Sequence, residues 1–438
     1  MTSILLTGAS GVVGAAVLRR LASHRVTALT YRAAVPGRTV RGDVTRPWLG
    51  LSRARYAELA GGTDVVLHCA GSTDFSADDD TMRAQNIRGT EQIVRFAADA
   101  GARLVFASTA FVARHDLARP ARNGDLGNTV DPRRYLASKL AAEEAVRRSG
   151  LPAAIARISV VIGDSAGGET SRFQGLHSTT SAIMRNLLPV LPFIPGAPVD
   201  VLPRDLVAEA LAALALAPPA VPTHDQQPDD QQTDDQQPDG QQHDGRQRDD
   251  QEAGGQQRDG RRQRDNQRAD GQQRAGEYWI TAGDAAPTVQ RLVDLVLARC
   301  GVLGLPVTVP RFAPPAMVER VIRPVFVDPL PARHRRRFAN LMALASLFDD
   351  GGRFPSDLGT MPGGPPAPTA ALVERAFVAS LDYQARAEGL IPPTLIPRPA
   401  GPARIPDRGR STRTSTQRVP EQRGFDDGEP MVLQASPV

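Results

Sequence analysis

Tyr135 and Lys139 are the side chains here whose types and spacing most directly suggest chemistry. Lys139 is the only lysine among 52 basic residues; all the others are arginine. A composition that takes arginine wherever a positive charge suffices has kept one compact ammonium, four residues after a tyrosine. Residues at i and i+4 share a helix face, so phenol and ammonium are expected side by side. The ammonium is expected to favour the phenolate and lower a phenol pKa that is otherwise about 10. Such a pair can give a proton to a carbonyl oxygen or accept one from an alcohol. The plainer reading is an exposed helical pair with no role, and the start of the chain argues against it.

Ser3–Thr7 reads as a short buried strand. It runs into Gly8-Ala9-Ser10-Gly11-Val12-Val13-Gly14 and then an apolar-periodic stretch to about Ala22. Strand, glycine turn and helix in that order suit a dinucleotide. Gly8 allows the tight turn, Gly11 lets backbone approach a pyrophosphate, and Gly14 permits close helix packing. Ser10, Val12 and Val13 complete the turn at a helix N-terminus, which favours anions. A second strand, Arg25 to Thr30, ends in Tyr31-Arg32. A carboxylate there would grip the adenosine ribose; Arg32 instead suits a 2′-phosphate, so NADP(H) is favoured over NAD(H). Asp43, followed by Val44, is expected near the adenine. Asp64–His68 is a further buried strand, and the small residues after it, Ala70 included, would let a dinucleotide pass over the strand end.

These segments resemble the extended short-chain dehydrogenase/reductase (SDR) family, and more narrowly its thioester-reductase and fatty-acyl-reductase branch of male-sterility type. The residues that carry the resemblance are Gly42-Asp43-Val44, Leu49-Gly50-Leu51-Ser52, Asp64 to Ala70, Asp74-Phe75 and Asn86-Ile87-Arg88-Gly89-Thr90. Val161 to Gly168, Phe173-Gln174-Gly175-Leu176 and Asp200-Val201-Leu202-Pro203 continue it. It covers residues 1 to about 221 well and about 276 to 300 more loosely. The resemblance implies a catalytic Thr109, Tyr135 and Lys139, with Thr109 rather than Ser108 as the hydroxyl. Lys139 would also hold the cofactor ribose. It implies an oxidoreductase that reduces an acyl thioester, linked to CoA or a carrier protein, or a related carbonyl, to aldehyde or alcohol, with Tyr135 as general acid. The stretch from Arg172 to Pro203 would shape the acyl pocket. Two departures stand out: Arg157-Ile158 where the family has arginine-proline, and Ala113-Arg114 where it often has tyrosine-glycine. Alternatives are sugar-nucleotide epimerase or dehydratase chemistry, a hydroxysteroid-type dehydrogenase, or a non-catalytic NADP-binding sensor.

The expected architecture is α/β: a Rossmann doubly wound parallel sheet with a smaller, mostly helical substrate-side domain. Residues 1–221 would form the dinucleotide-binding domain and the start of the substrate region. From Asp225 a pentapeptide such as Asp-Gln-Gln-Pro-Asp repeats to about Arg274 with almost nothing apolar. Residues 222–275 are therefore expected to be a disordered insertion. Residues 276–396 would complete the substrate side, with a strand at Glu277–Ile280 and helices at Thr288–Cys300 and Ala370–Arg386. Residues 397–438, rich in proline, arginine, serine and threonine, read as a disordered tail. A net charge of +4 does not mark a nucleic-acid binder. Two cysteines, Cys69 and Cys300, supply neither a disulfide framework nor a metal set and suit a reducing cytoplasm. With no apolar run of about 18 residues and no basic leader, neither a membrane span nor a signal peptide is expected. Oligomeric state is not legible.

Overall fold

The computed structural model describes residues 1–114, 130–217, 276–348 and 352–392. The expected disordered insertion, 222–275, and tail, 397–438, lie outside these.

Strands β1 (Ser3–Thr7), β2 (Arg25–Thr30), β3 (Arg38–Arg41), β4 (Val65–His68), β5 (Arg103–Thr109) and β6 (Ala153–Ile158) enter one parallel sheet. Two short strands, β7 (Val160–Ile162) and β9 (Val201–Pro203), pair beside it. A second small pair joins β8 (Val190–Leu191) to β11 (Arg311–Phe312). Strand β10 (Gly276–Ile280) closes the main sheet, whose order is β10-β6-β5-β4-β1-β2-β3. This is the doubly wound α/β arrangement that the glycine turn and the alternating apolar runs predict. The strand expected at Glu277–Ile280 is present, but it pairs with β6 and so belongs to the dinucleotide-binding sheet rather than the substrate side.

Side chains alternate across β1, and the two faces bury different helices. Ile4 and Leu6 pack with Val12 and Val17 of α1 (Val12–Arg20) and with Val207 and Leu211 of α7 (Arg204–Leu216). Leu5 faces the other way, toward Leu59 of α2 (Arg53–Gly61), Ile93 and Phe96 of α4 (Gly89–Ala100) and Val146 of α5 (Pro132–Arg148). A short helix α3 (Asp79–Met82) and a π-helical turn (Arg83–Arg88) lead into α4 without a break.

The first of these cores continues into the helices beyond the sheet. These are α6 (Gly175–Met184), α8 (Val289–Val302), α9 (Ala332–Leu347) and α10 (Ala370–Ala387), numbered in chain order. The helices expected at Thr288–Cys300 and Ala370–Arg386 are α8 and α10, with Thr288 and Thr369 as N-caps. Bidentate pairs Arg291–Glu374 and Arg299–Asp382 tie α8 to α10. No helix among the described residues is long and apolar enough to cross a membrane.

Candidate active site

Thr109 ends β5, at the carboxyl edge of the sheet where open α/β folds receive ligands. Its Oγ1 accepts the Phe111 amide at 3.4 Å, which caps the 3-10 turn Ala110–Ala113. Helix α5 brings Tyr135 to the same place. Pro132 fits its first turn, where no amide donor is needed, and Asp131 caps it by accepting the Arg133 amide at 2.9 Å. Its inward face carries Tyr135, Leu136, Ser138, Lys139, Ala142, Glu143 and Val146, so the exposed-pair reading does not hold. Tyr135 and Lys139 are 8% and 7% exposed. The structure therefore brings Thr109, Tyr135 and Lys139 together beneath the mouth of the sheet.

The electrostatics differ from expectation. Burial pushes the Tyr135 phenol up to about 12, and the Thr109 hydroxyl beside it pulls in the opposite direction. The Lys139 ammonium does not produce the expected lowering. It donates to the Ala107 carbonyl at 2.7 Å and sits 4.3 Å above the Phe106 ring, under the ends of β4 and β5. Burial lowers Lys139 to about 8, against the raising influence of Glu143 and Cys69. The ammonium is engaged by the Ala107 carbonyl, and burial decides the direction of the phenol shift.

Glu143, one helical turn past Lys139, is fully buried. It accepts Ser108 Oγ at 2.6 Å, Arg147 at 2.7 Å and Arg157 at 2.8 Å. Burial works to raise its pKa, but the hydrogen bonds from Arg157 and Ser108 win and hold it below the usual carboxylate range. Ser108 is thus committed to Glu143, which leaves Thr109 as the hydroxyl at the mouth. Arg157 also pairs with Glu277 at 2.9 Å and lies over Trp279, so the residue before the missing proline anchors β10. Sequence reasoning missed Glu143; its i+4 spacing from Lys139, on the same helix face, was the available signal.

A second polar chain supports the site. Asn86, inside the π-helical turn, accepts the Ser72 amide at 2.7 Å and donates to Ser138 Oγ at 2.8 Å. Ser138 Oγ in turn donates to the Tyr135 carbonyl at 2.7 Å. Thr90 Oγ1 donates to the Asn86 carbonyl and lies 3.4 Å from His68 Nε2. His68 Nδ1 is 2.6 Å from Thr7 Oγ1, which accepts the Ala70 amide at 3.2 Å. Burial, with Lys139 nearby, lowers the His68 imidazole to about 3.

The glycine turn fits a pyrophosphate. Gly8 has φ +72°, and a Cβ there would stand 2.5 Å from the Cys69 backbone carbon. A Cβ on Gly14 would stand 2.1 Å from the Gly8 carbonyl oxygen, so Gly14 packs α1 onto the turn itself. Gly11 caps α1 with no side-chain acceptor on its first amides, Ser10 is exposed, and Val12 is buried beside half-buried Val13. Arg32 is exposed just past β2, its guanidinium 4.8 Å from the Tyr31 ring centroid. Asp43 follows β3, but one carboxylate oxygen already accepts Thr45 N and Oγ1. Val44 packs against the α4 side, next to Gly89. A cavity of about 790 Å³ runs along α1 and β2 and touches this turn only at Ala9 and Ser10; Thr109 and Tyr135 do not line it. A smaller apolar cavity of about 40 Å³ lies between α6, α8 and α9, lined in part by Leu176, Ile183, Phe193 and Val199. No cluster of three or more metal-ligating side chains is present among the described residues.

Fold, glycine turn and buried Thr/Tyr/Lys group are together those of a doubly wound α/β protein whose first turn suits a dinucleotide. Residues 28–211 match the NAD-binding family model described as male sterility protein. A hybrid PKS-NRPS synthetase of Talaromyces variabilis is 35% identical over 188 residues, which is 39% of this chain and 4% of the synthetase. Peramine synthetase A of Epichloe festucae is 27% identical over 221 residues, 42% of this chain and 8% of that protein. The chain thus spans only a small part of the curated relatives it matches. Among solved structures, the reductase domain of a nonribosomal peptide synthetase from Mycobacterium tuberculosis aligns with TM-score 0.57 and 19% identity, covering 89% of this chain and 93% of that one. The terminal R domain of the myxalamid PKS-NRPS pathway aligns with TM-score 0.56 and 19% identity, over 89% and 92% of the two chains. At such identity the structural similarity is one of fold. The resemblance to the thioester-reductase branch of the extended SDR family is borne out by these matches.

Proposed function

We propose that this protein is an NADPH-dependent reductase of an acyl thioester, releasing an aldehyde or, after a second reduction, an alcohol. The observation that carries the reading is the pairing of Thr109 and Tyr135, both buried, at the carboxyl edge of the sheet, the edge that also bears the glycine turn. The bound nicotinamide would supply a hydride to the thioester carbon. Thr109 and Tyr135 donate to the carbonyl oxygen as charge grows on it, each such donor typically worth about 3 kcal/mol in a dry site. Burial keeps the Tyr135 phenol protonated at neutral pH, so it has a proton to give to that oxygen. Departure of the thiol then leaves the aldehyde. Gly8, Gly11 and Gly14 would cradle the pyrophosphate, with Ser10, Val12 and Val13 around it. Lys139 would reach the ribose, Arg32 the 2′-phosphate, and Asp43, Val44 and Ala70 the adenine side. The carrier of the thioester is CoA or a carrier protein; the relatives named PKS-NRPS synthetases favour the latter.

The test is cofactor oxidation with a panel of acyl thioesters, aldehydes and sugar nucleotides. Tyr135→Phe should lower kcat on the active thioester by about 10²–10⁴ with cofactor affinity retained. Normal turnover by that variant removes Tyr135 as the acid. Activity confined to sugar nucleotides would favour epimerase chemistry.

A further inference from the structure

The helical run from Pro315 to Val327, which includes a π-helix, presents an apolar face that is left exposed in the structure. Met317, Val321, Val325 and Phe326 are 52%, 55%, 62% and 68% exposed, while Val318 and Val327 are buried and fix the run to the body. Between 315 and 340 the sequence has six arginines and two carboxylates. Arg323 takes both carboxylates, Glu319 at 2.9 Å and Asp328 at 3.3 Å. Arg320, Arg333, Arg335, Arg336 and Arg337 stay exposed with no carboxylate partner among the described residues. The surface is therefore apolar at its centre and cationic around it.

Its position ties it to the site. Arg336 donates to Ser76 Oγ at 2.5 Å, and the neighbouring Phe75 ring lies 5.6 Å from the Tyr135 ring. We propose that this surface docks an acidic carrier protein that presents the thioester to the mouth above Tyr135, an inference that rests on the thioester reading. An apolar centre with a charged rim is the ordinary layout of a protein interface, and an acidic partner complements the rim. The chain's own acidic repeat matches the charge but not the centre: from 225 to 250 it holds no apolar side chain except proline. An anionic lipid surface would match both, yet it would not explain a link to the loop whose Phe75 ring packs on Tyr135.

The experiment compares one acyl group on a holo acyl carrier protein and on N-acetylcysteamine, using the full chain. The double variant Phe326→Ser/Arg337→Glu, and Arg333→Glu alone, should raise KM for the carrier substrate about tenfold or more. Turnover of the small thioester should stay within about twofold, and added salt should mimic the loss in the unmodified protein. Equal losses on both substrates, or none on either, overturn the proposal. So does binding of the protein to phosphatidylserine vesicles that is lost in the variants while carrier turnover holds. Faster carrier turnover after deletion of residues 225–244 would make the repeat the occupant instead and overturn it too. Should neither thioester be reduced, the functional reading fails by itself. Fluorescence anisotropy with labelled carrier then decides the docking surface, which falls if the variants bind as the unmodified protein does.

Discussion

At Tyr135 the decisive influence is the loss of water, which takes the phenol to about 12 while Lys139 is held by the Ala107 carbonyl. The sequence made the grouping of Thr109, Tyr135 and Lys139 legible because a strand end and an i+4 helix pair leave few other placements. It did not make the direction of the phenol shift legible, since burial of α5 is a tertiary fact. Glu143 escaped notice for the same reason: beside Glu144 it reads as a solvated helix charge, yet it is fully buried against Arg157. Arg32 is the residue on which the proposed NADPH preference rests. Exposed past β2, it has no carboxylate partner among the described residues. Arg32→Asp is expected to move the NADPH over NADH preference toward NADH by about tenfold or more, since one charged contact to phosphate is lost and a ribose acceptor gained. Cofactor titrations of both proteins check it, and an unchanged ratio removes Arg32 from the phosphate.

Among elements, those with a clear period were legible: β1, β2, β4, α8 and α10 fall within a residue or two of their expected bounds. Strand β3 was not expected, because Arg38–Arg41 alternates with only Val40 buried, as an edge strand does. The π-helix Val318–Val327 was hidden by Pro324 inside it. The turn after β1 is the element with least tolerance. Gly8→Ala puts a methyl group 2.5 Å from backbone at a φ of +72°, and neither chain can yield cheaply. The variant is expected to lose roughly 2 kcal/mol or more of stability and most of its dinucleotide affinity. Thermal melts and cofactor titration read the two effects, and near-normal values for both would mean the turn relaxes.

For the whole molecule, the buried histidines set the acid limb. His68 and His177 are lowered by burial from 6.5 to about 3 and about 4, so the native protein resists the protons its unfolded chain accepts. Their stability contribution is complete above pH 6.5 and is lost as pH falls through that window. Asp200, raised by burial from 3.8 to about 6, acts in the opposite sense between those values. Two histidine shifts outweigh one carboxylate, so the melting temperature should fall from pH 6.5 toward pH 4. His68→Asn should flatten that fall by up to about 1.4 kcal/mol per pH unit. An unchanged slope would assign the acid limb to other groups. The doubly wound plan was legible at this scale, but the place of β10 was not, because sequence order does not reveal which edge a late strand joins. That strand has one more consequence. During synthesis β6 must wait for residues 276–280 before its outer hydrogen-bonding edge is covered, so the nascent chain carries an unprotected β edge throughout translation of the repeat, the interval in which self-association is the main hazard.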